Sequence, residues 1–335
     1  METEPEARQL TERYPWHDTL WRGVIKDPAR LPHALLFAGQ PGLGKANFAE
    51  RLAQALLCQM LGPGGESCGT CKSCRLCVAG THPDLMRVSP LEEGKPITVD
   101  QVRALVEFVT KRPHIASRKV VVMVPAETMN LNAANSLLKM LEEPPLGNVF
   151  LLVTDQPAKL PPTVRSRCHR LDFGPVRRPD ALAWLQTRDV SPSDAGALLD
   201  LAAGAPLQAL ALANNDFLRT RDDLLVDLES LLGPQADPVA CAARWGALGP
   251  ERCLRWLQSL LADLIKLKLL PEDDPYLANA DLAPRLRALA EGLDWPPLYA
   301  FADTVAEACD LLTGPLDRLL LLEDILIRWK KANQE

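Results

Sequence analysis

Ala34-Leu35-Leu36-Phe37-Ala38-Gly39-Gln40-Pro41-Gly42-Leu43-Gly44-Lys45-Ala46 joins a short apolar run to a glycine-rich loop, and its reading decides the fold class. Five apolar residues ending at Gly39 read as a buried strand entering a loop. Beyond the loop, Phe48, Leu52, Ala55 and Leu56 recur at helical spacing between Lys45 and Met60. The stretch matches the phosphate-loop pattern G-x-x-x-x-G-K-[ST] at every position but the last, where Ala46 stands. Such a loop turns backbone N–H groups and a helix N-terminus toward phosphate, and Lys45 would pair with the β and γ oxygens. Gly39, Gly42, Gly44 and Lys45 are thus candidate nucleotide-binding residues.

Outward from this loop, strand-like and helix-like segments alternate. Asp84–Val88 reads as a strand. Thr98-Val99-Asp100-Gln101 is a capping box, in which Thr98 and Gln101 satisfy each other's orphan N–H groups. Val102, Leu105, Val106 and Val109 form the apolar stripe of the helix it opens. Val120–Val124 is continuously apolar and β-branched, hence a strand buried on both faces. Ala133–Glu143 is helical and stops at Pro144-Pro145. Val149–Thr154 is another buried strand, and a last one is expected over Cys168–Phe173. Strands separated by helices imply crossover connections and a parallel sheet covered by helices.

After Gly174-Pro175 the strand signals vanish. Pro179–Ala213 reads as two or three short helices broken at Ser191-Pro192 and Gly204-Ala205-Pro206. From Asp216 onward the chain is helical, with breaks near Gly233-Pro234, Gly249-Pro250, Pro271–Pro275, Pro296-Pro297 and Gly314-Pro315. The final helix, Leu316–Lys331, is apolar enough to require burial in a bundle. Its basic end, Arg328, Lys330 and Lys331, is expected to complement the negative helix terminus rather than to touch DNA.

The 335 residues exceed one ordinary core. No apolar run approaches the roughly 20 residues that span a bilayer, and the acidic N-terminus has no signal-peptide pattern. A soluble intracellular protein is expected. Net charge is −6; residues up to Gly174 carry 21 Lys+Arg against 18 Asp+Glu, and the remainder 16 against 25. A protein that grips DNA with its own surface usually carries a basic excess, so any nucleic-acid role is shared or indirect.

Binding phosphate is not hydrolysing it. The hydroxyl missing at Ala46 is the one that normally ligates Mg²⁺. The second metal-side carboxylate should close the Val120–Val124 strand, but the chain continues Val124-Pro125-Ala126, and Glu127 comes too late and is expected to point elsewhere. The pocket is expected to bind ATP or ADP weakly at most, without turnover.

Five of the nine cysteines fall between Cys58 and Cys77, and Cys68, Cys71, Cys74 and Cys77 repeat every third residue. In a cytosolic chain this reads as a metal site. Cys68 and Cys71 make the clearest C-x-x-C knuckle, and Cys74 with either Cys58 or Cys77 completes four thiolates for a closed, structural zinc. The rival is an iron–sulfur cluster, but the proline that follows the last cysteine of such runs is absent. The other four cysteines read as small buried hydrophobes.

The chain resembles the AAA+ clamp-loader subunits of the bacterial DNA polymerase III machinery. The resemblance lies in His33-Ala34-Leu35-Leu36-Phe37, the phosphate loop, the Cys58–Cys74 insert, Gly80-Thr81-His82-Pro83-Asp84, Asn135–Pro145 with its Leu-Glu-Glu-Pro-Pro end, and Ser166-Arg167-Cys168. It is dense in the first half and rests on helical character and length in the second. It implies an α/β RecA-like AAA+ domain over 1–174 with a zinc insert at 58–77, a small helical lid over 175–215, and an all-α collar domain over 216–335. It implies Cys58, Cys68, Cys71 and Cys74 as zinc ligands, leaving Cys77 a bystander. Arg167 becomes an arginine finger that reaches a neighbouring subunit's ATP, positioned by Ser166 and Cys168. Thr154 matches the γ-phosphate-sensing position, and Leu207 stands where active relatives carry a nucleotide-contacting Arg. That is a third loss on the hydrolysis side.

The resemblance thus implies a non-hydrolysing subunit that is no enzyme on its own. Expected partners are the gamma/tau motor and delta subunits of a hetero-pentamer, with the sliding clamp and primer-template DNA met through the complex. The expected setting is the cytoplasm at the replication fork. Two rivals predict different behaviour. An active P-loop motor subunit would turn over ATP alone, against Ala46 and Val124-Pro125. A zinc-dependent nucleic-acid-binding module would bind DNA alone, against the acidic helical half and a 5% aromatic content.

Overall fold

A computed structural model describes residues 12–92, 94–270, 277–312 and 316–332. It divides into two compact units, one up to Val176 and one from Arg177 onward. The first contains α1 (Asp18–Ile25), β1 (Ala34–Ala38), α2 (Lys45–Leu57), α3 (Lys72–Val78), β2 (Leu85–Val88), α4 (Val99–Thr110), β3 (Lys119–Met123), α5 (Leu131–Glu142), β4 (Asn148–Thr154), the single turn α6 (Pro162–Arg165) and β5 (His169–Asp172). The strands pair in the order β2-β3-β4-β1-β5, every pair parallel. Helices on both faces explain why β1, β3 and β4 read as unbroken apolar runs: each of their residues is buried.

The period of two sorts their side chains. Leu36, Val121, Met123, Phe150 and Leu152 join Val102, Leu105, Ala134, Leu137 and Leu141 of α4 and α5 in one core cluster. Phe37 points the other way, its ring 5.4 Å from that of Phe48 on α2. The capping box is present, with Thr98 accepting from the Gln101 amide and Gln101 from that of Thr98. Two strands start one residue earlier than their apolar runs. Lys119 is buried because its ammonium donates to the Phe108 carbonyl at 2.7 Å and lies over the Phe108 ring. Asn148 donates to the carbonyls of Val109 and Pro145.

The second unit is helical: α7 (Arg178–Gln186), α8 (Pro192–Leu201) and α9 (Pro206–Asn214) are short, and α10 (Phe217–Leu231), α11 (Pro238–Leu248), α12 (Pro250–Leu269), α13 (Ala283–Glu291), α14 (Trp295–Leu311) and α15 (Arg318–Ala332) follow. Prolines open α8, α9, α11 and α12, where a missing N–H costs nothing. The breaks expected at Pro271–Pro275 and Gly314-Pro315 fall on residues outside those described. Trp245, Leu257, Leu260, Leu264, Leu286, Phe301 and Trp329 centre one continuous core.

Two expectations about α15 need correcting. Leu322, Ile325, Leu326 and Trp329 are buried, but Leu316, Leu319 and Leu320 are exposed, so burial holds only for the later turns. Lys330 does not serve its own helix terminus; it donates to the carbonyls of Pro234 and Ala236 and ties down the loop between α10 and α11. Arg328 pairs with Asp324 one turn back. No single helix among the described residues is long and apolar enough to cross a membrane.

Candidate functional site

Four thiols converge at the C-terminal end of α2. Cys58 is the residue that ends this helix, Cys71 caps α3 and Cys74 lies in its first turn. Their sulfurs and that of Cys68 all lie within 4.8 Å of one another. Three of the separations are 3.6 Å (Cys58–Cys74), 3.9 Å (Cys68–Cys74) and 4.0 Å (Cys58–Cys71). A tetrahedral zinc with bonds near 2.3 Å spaces its sulfurs by roughly 3.8 Å, so the set fits one ion and leaves no room for a multinuclear cluster.

Backbone N–H groups of Cys68, Cys71 and Cys74 donate to the sulfurs of Cys58, Cys68 and Cys71. Such bonds favour thiolates. N–H donors of Thr70 and Cys71 bring the Cys68 thiol down to about 6, while burial pushes Cys58 and Cys74 up, as it does Cys77. Geometry and not acidity therefore sets the four apart. Cys77 lies outside the quartet.

Buried contacts hold this insert in place. The Trp21 indole donates to the Gly64 carbonyl, and Arg51 lies over the Trp21 ring while pairing with Glu66. Gly65 has φ +76°, and a Cβ there would strike Ile25 at 2.4 Å. Ser73 on α3 meets His82 Nε2 at 2.5 Å, and His82 Nδ1 accepts from the Asp84 amide. The proton therefore sits on Nε2, and Ser73 receives it as a hydrogen bond. The Asp84 carboxylate accepts three backbone N–H groups, from His114, Ile115 and Ala116. Burial opposes its charge, and these three bonds outweigh that and hold its pKa below the ordinary value.

The glycine loop lies at the C-terminal edge of the sheet. Gly39 approaches β5 so closely that a Cβ would come within 2.5 Å of the Phe173 carbonyl oxygen. Gly44, at φ +82°, caps α2, and a Cβ there would clash with Tyr14 and His17. The N-terminal segment braces the loop: Trp16 Nε1 and His17 Nε2 both donate to the Leu43 carbonyl, at 3.0 and 2.7 Å. Burial pushes His17 down to about 4, so it is neutral.

Lys45 is buried, and its ammonium is engaged within the chain, 2.5 Å from Asp155 Oδ1 and 2.5 Å from the Gln40 carbonyl oxygen. Thr154, fully buried at the end of β4, accepts from the Gln156 amide. Glu127 does not point away, as its sequence position suggested. Its carboxylate accepts the Asp155 amide at 3.0 Å and stands next to the partner of Lys45.

Arg167 follows α6. Its guanidinium lies 2.5 Å from Glu142 and donates to the Thr163 carbonyl at 2.9 Å, with its side chain one-third exposed. Ser166 donates to the same Thr163 carbonyl, and Cys168 packs against the sheet core. The structure thus brings Lys45 and Thr154 to one sheet edge and gathers four thiols beyond α2. Arg167 stands on a separate loop with Glu142. Asp155 and the Tyr14–His17 segment belong to these sites but match no motif, and the only sequence signal for Asp155 was its position after a buried strand. Glu142 lies in the Leu-Glu-Glu-Pro-Pro stretch already singled out, at the end of a helix whose dipole disfavours it.

A family model described as "DNA polymerase III, delta subunit" matches residues 21–177, and one described as its C terminal matches 215–331. The subunit delta' of DNA polymerase III from Pseudomonas aeruginosa is 36% identical over 96% of this chain and 98% of its own length. This chain belongs to the delta prime family of DNA polymerase III clamp-loader subunits. A second family member, from Escherichia coli, is 34% identical over 94% of each chain. Among solved structures, a DNA polymerase III gamma subunit-related protein from Thermotoga maritima covers 95% of this delta prime chain at 18% identity, with a TM-score of 0.42.

Proposed function

We propose that this delta prime family chain is the non-hydrolysing member of its clamp loader and lends Arg167 to the ATP of a neighbouring motor subunit. The observation that carries the reading is Arg167 itself. It stands on a turn after α6 with a third of its side chain exposed, steadied by Glu142 and the Thr163 carbonyl. A guanidinium brought against a γ-phosphate stabilises developing charge and is worth roughly 10³–10⁵ in rate. The chain's own loop is poorly equipped for turnover: a methyl at Ala46, Val124-Pro125 where a carboxylate is needed, and Lys45 already paired. Gly39, Gly42, Gly44, Lys45 and Thr154 remain as a degenerate nucleotide site.

In this reading Cys58, Cys68, Cys71 and Cys74 hold a zinc with no open position, whose part is to fix the insert. Residues 175–215 act as a lid, and 216–335 form a collar with the gamma/tau and delta subunits. Exposed Leu311, Leu316, Leu319 and Leu320 supply apolar contact there. The pentamer, at the replication fork in the cytoplasm, then brings the sliding clamp to primed DNA. The test compares ATP turnover by this chain alone, by the motor with the other loader subunits, and by that assembly carrying Arg167→Ala. Silence alone, turnover in the assembly and a loss of at least about tenfold on substitution are expected. An assembly indifferent to Arg167 ends the finger reading, and turnover by the isolated chain would make it a motor.

A further inference from the structure

The carboxylate at the mouth of the glycine loop comes from the chain itself. Thr154 ends β4 opposite Ala38, the last residue of β1, so the parallel register of two central strands sets Asp155 beside the start of the loop. Asp155 Oδ1 lies 2.5 Å from Lys45 Nζ, and the Gln40 carbonyl oxygen lies 2.5 Å from the same nitrogen. Glu127 holds the Asp155 amide at 3.0 Å and so pins the residue that carries the carboxylate. Lys45 is only 3% exposed, while Asp155 is 41% exposed. The ammonium is thus inside, and its counter-charge forms the outer wall.

A phosphoryl oxygen and this carboxylate need the same ammonium, and a buried ammonium cannot stay unpaired. We propose that Asp155 is an internal occupant of the phosphate site, excluding nucleoside di- and triphosphates from a cradle whose glycines and lysine are intact. A ligand binds only to the fraction of molecules in which Lys45 is released, so its apparent affinity is reduced by that fraction. This rests on the reading of residues 39–45 as a phosphate loop, and the experiment separates the two.

Full-length wild-type chain, Asp155→Asn, Asp155→Ser and the double variant Asp155→Asn/Lys45→Ala are titrated with fluorescent ATP and ADP analogues. In parallel, trace acetic anhydride labels amines, and mass spectrometry reads acetylation at Lys45. Binding at least about tenfold tighter in the single variants than in wild type is expected, and its loss in the double variant. Lys45 acetylation should rise severalfold in the single variants and fall again with ATP. Single variants that melt cooperatively yet change neither binding nor labelling overturn the proposal. Labelling that rises while no variant binds nucleotide shows that the loop is not a phosphate site, and both readings fall. Wild-type protein serves if both variants misfold: Lys45 must acetylate at least about tenfold more slowly than exposed lysines, and equal rates overturn the lock.

Discussion

The guanidinium of Arg167 lies 2.5 Å from the carboxylate of Glu142, the last residue of α5. A carboxylate at a helix C-terminus faces the negative end of the dipole, and the arginine offsets that cost. The second edge of the guanidinium is held by the Thr163 carbonyl, so the side chain is fixed from two directions. With 33% and 47% of the two side chains exposed, the pair contributes at most about 1 kcal/mol to folding. Glu142→Gln should therefore leave denaturant stability within about 0.5 kcal/mol of wild type and lower ATP turnover of the reconstituted loader by roughly three- to tenfold. Arg167→Lys should be as impaired as Arg167→Ala, because a lysine lacks the planar fork whose two separate nitrogens face Glu142 and Thr163. Wild-type turnover with Glu142→Gln would reduce that residue to a surface partner.

Metal content should follow the four converging thiols and ignore the fifth. Purified chain should carry about one zinc, retained in Cys77→Ser and lost in Cys74→Ser. Removing the metal with a strong chelator should lower the unfolding midpoint by about 5 °C or more, since the ion holds together a loop with little core of its own. Elemental analysis beside thermal melts reads both. Zinc that survives Cys74→Ser would point to a different ligand set.

Acid should weaken the brace on the glycine loop. His17 titrates near 4 in the folded chain against an ordinary 6.5, chiefly because burial disfavours its charged form and secondarily because Arg51 repels it. The unfolded chain therefore takes up the proton first, and stability falls as pH drops from about 6.5 to about 4. Between pH 7 and 5.5, above the carboxylate range, wild type should lose about 1 kcal/mol more than His17→Asn. Urea titrations at the two pH values measure this, and equal losses would mean that His17 is not buried neutral.

The apolar turn that opens α15 offers a test of assembly without a test of folding. Leu319 and Leu320 are 41% and 62% exposed, so Leu320→Glu should change stability by no more than about 0.5 kcal/mol. If these leucines meet another subunit, size-exclusion chromatography with the partner subunits should show the pentamer lost or weakened at least tenfold on the same substitution. An unaltered elution profile would move the collar contact elsewhere.

Much of the α/β unit could be read from Ala34–Ala38, Val120–Val124 and Val149–Thr154, because strands buried on both faces leave no alternation to misread. Helix starts were legible where capping chemistry is local, as at Thr98 and Gln101. Lys119 and Asn148 escaped because a buried polar side chain depends on carbonyls distant in sequence, here those of Phe108 and Val109. The cysteine spacing left Cys58 and Cys77 as alternatives for a fourth ligand. The resemblance implied Cys58, and the fold-back of residues 58–71 is what brings its sulfur to the other three. Asp155 was illegible for a related reason: the parallel register of β1 and β4 carries it to Lys45, and Glu127 joins it only through the Asp155 amide. Lys330 looked like a helix-terminus charge because its real acceptors lie on a loop almost a hundred residues away.

The doubly accepting carbonyl of Leu43 bears on how this chain can be dissected. Its two donors, Trp16 and His17, precede the first strand and every recognisable motif. A fragment begun near Trp21 would look complete by any motif inventory, yet it would lack the indole, the imidazole and the Tyr14 ring that press on Gly44. Such an excised domain presents a glycine turn with one shoulder stripped bare. Its response to phosphate would belong to the cut rather than to the protein.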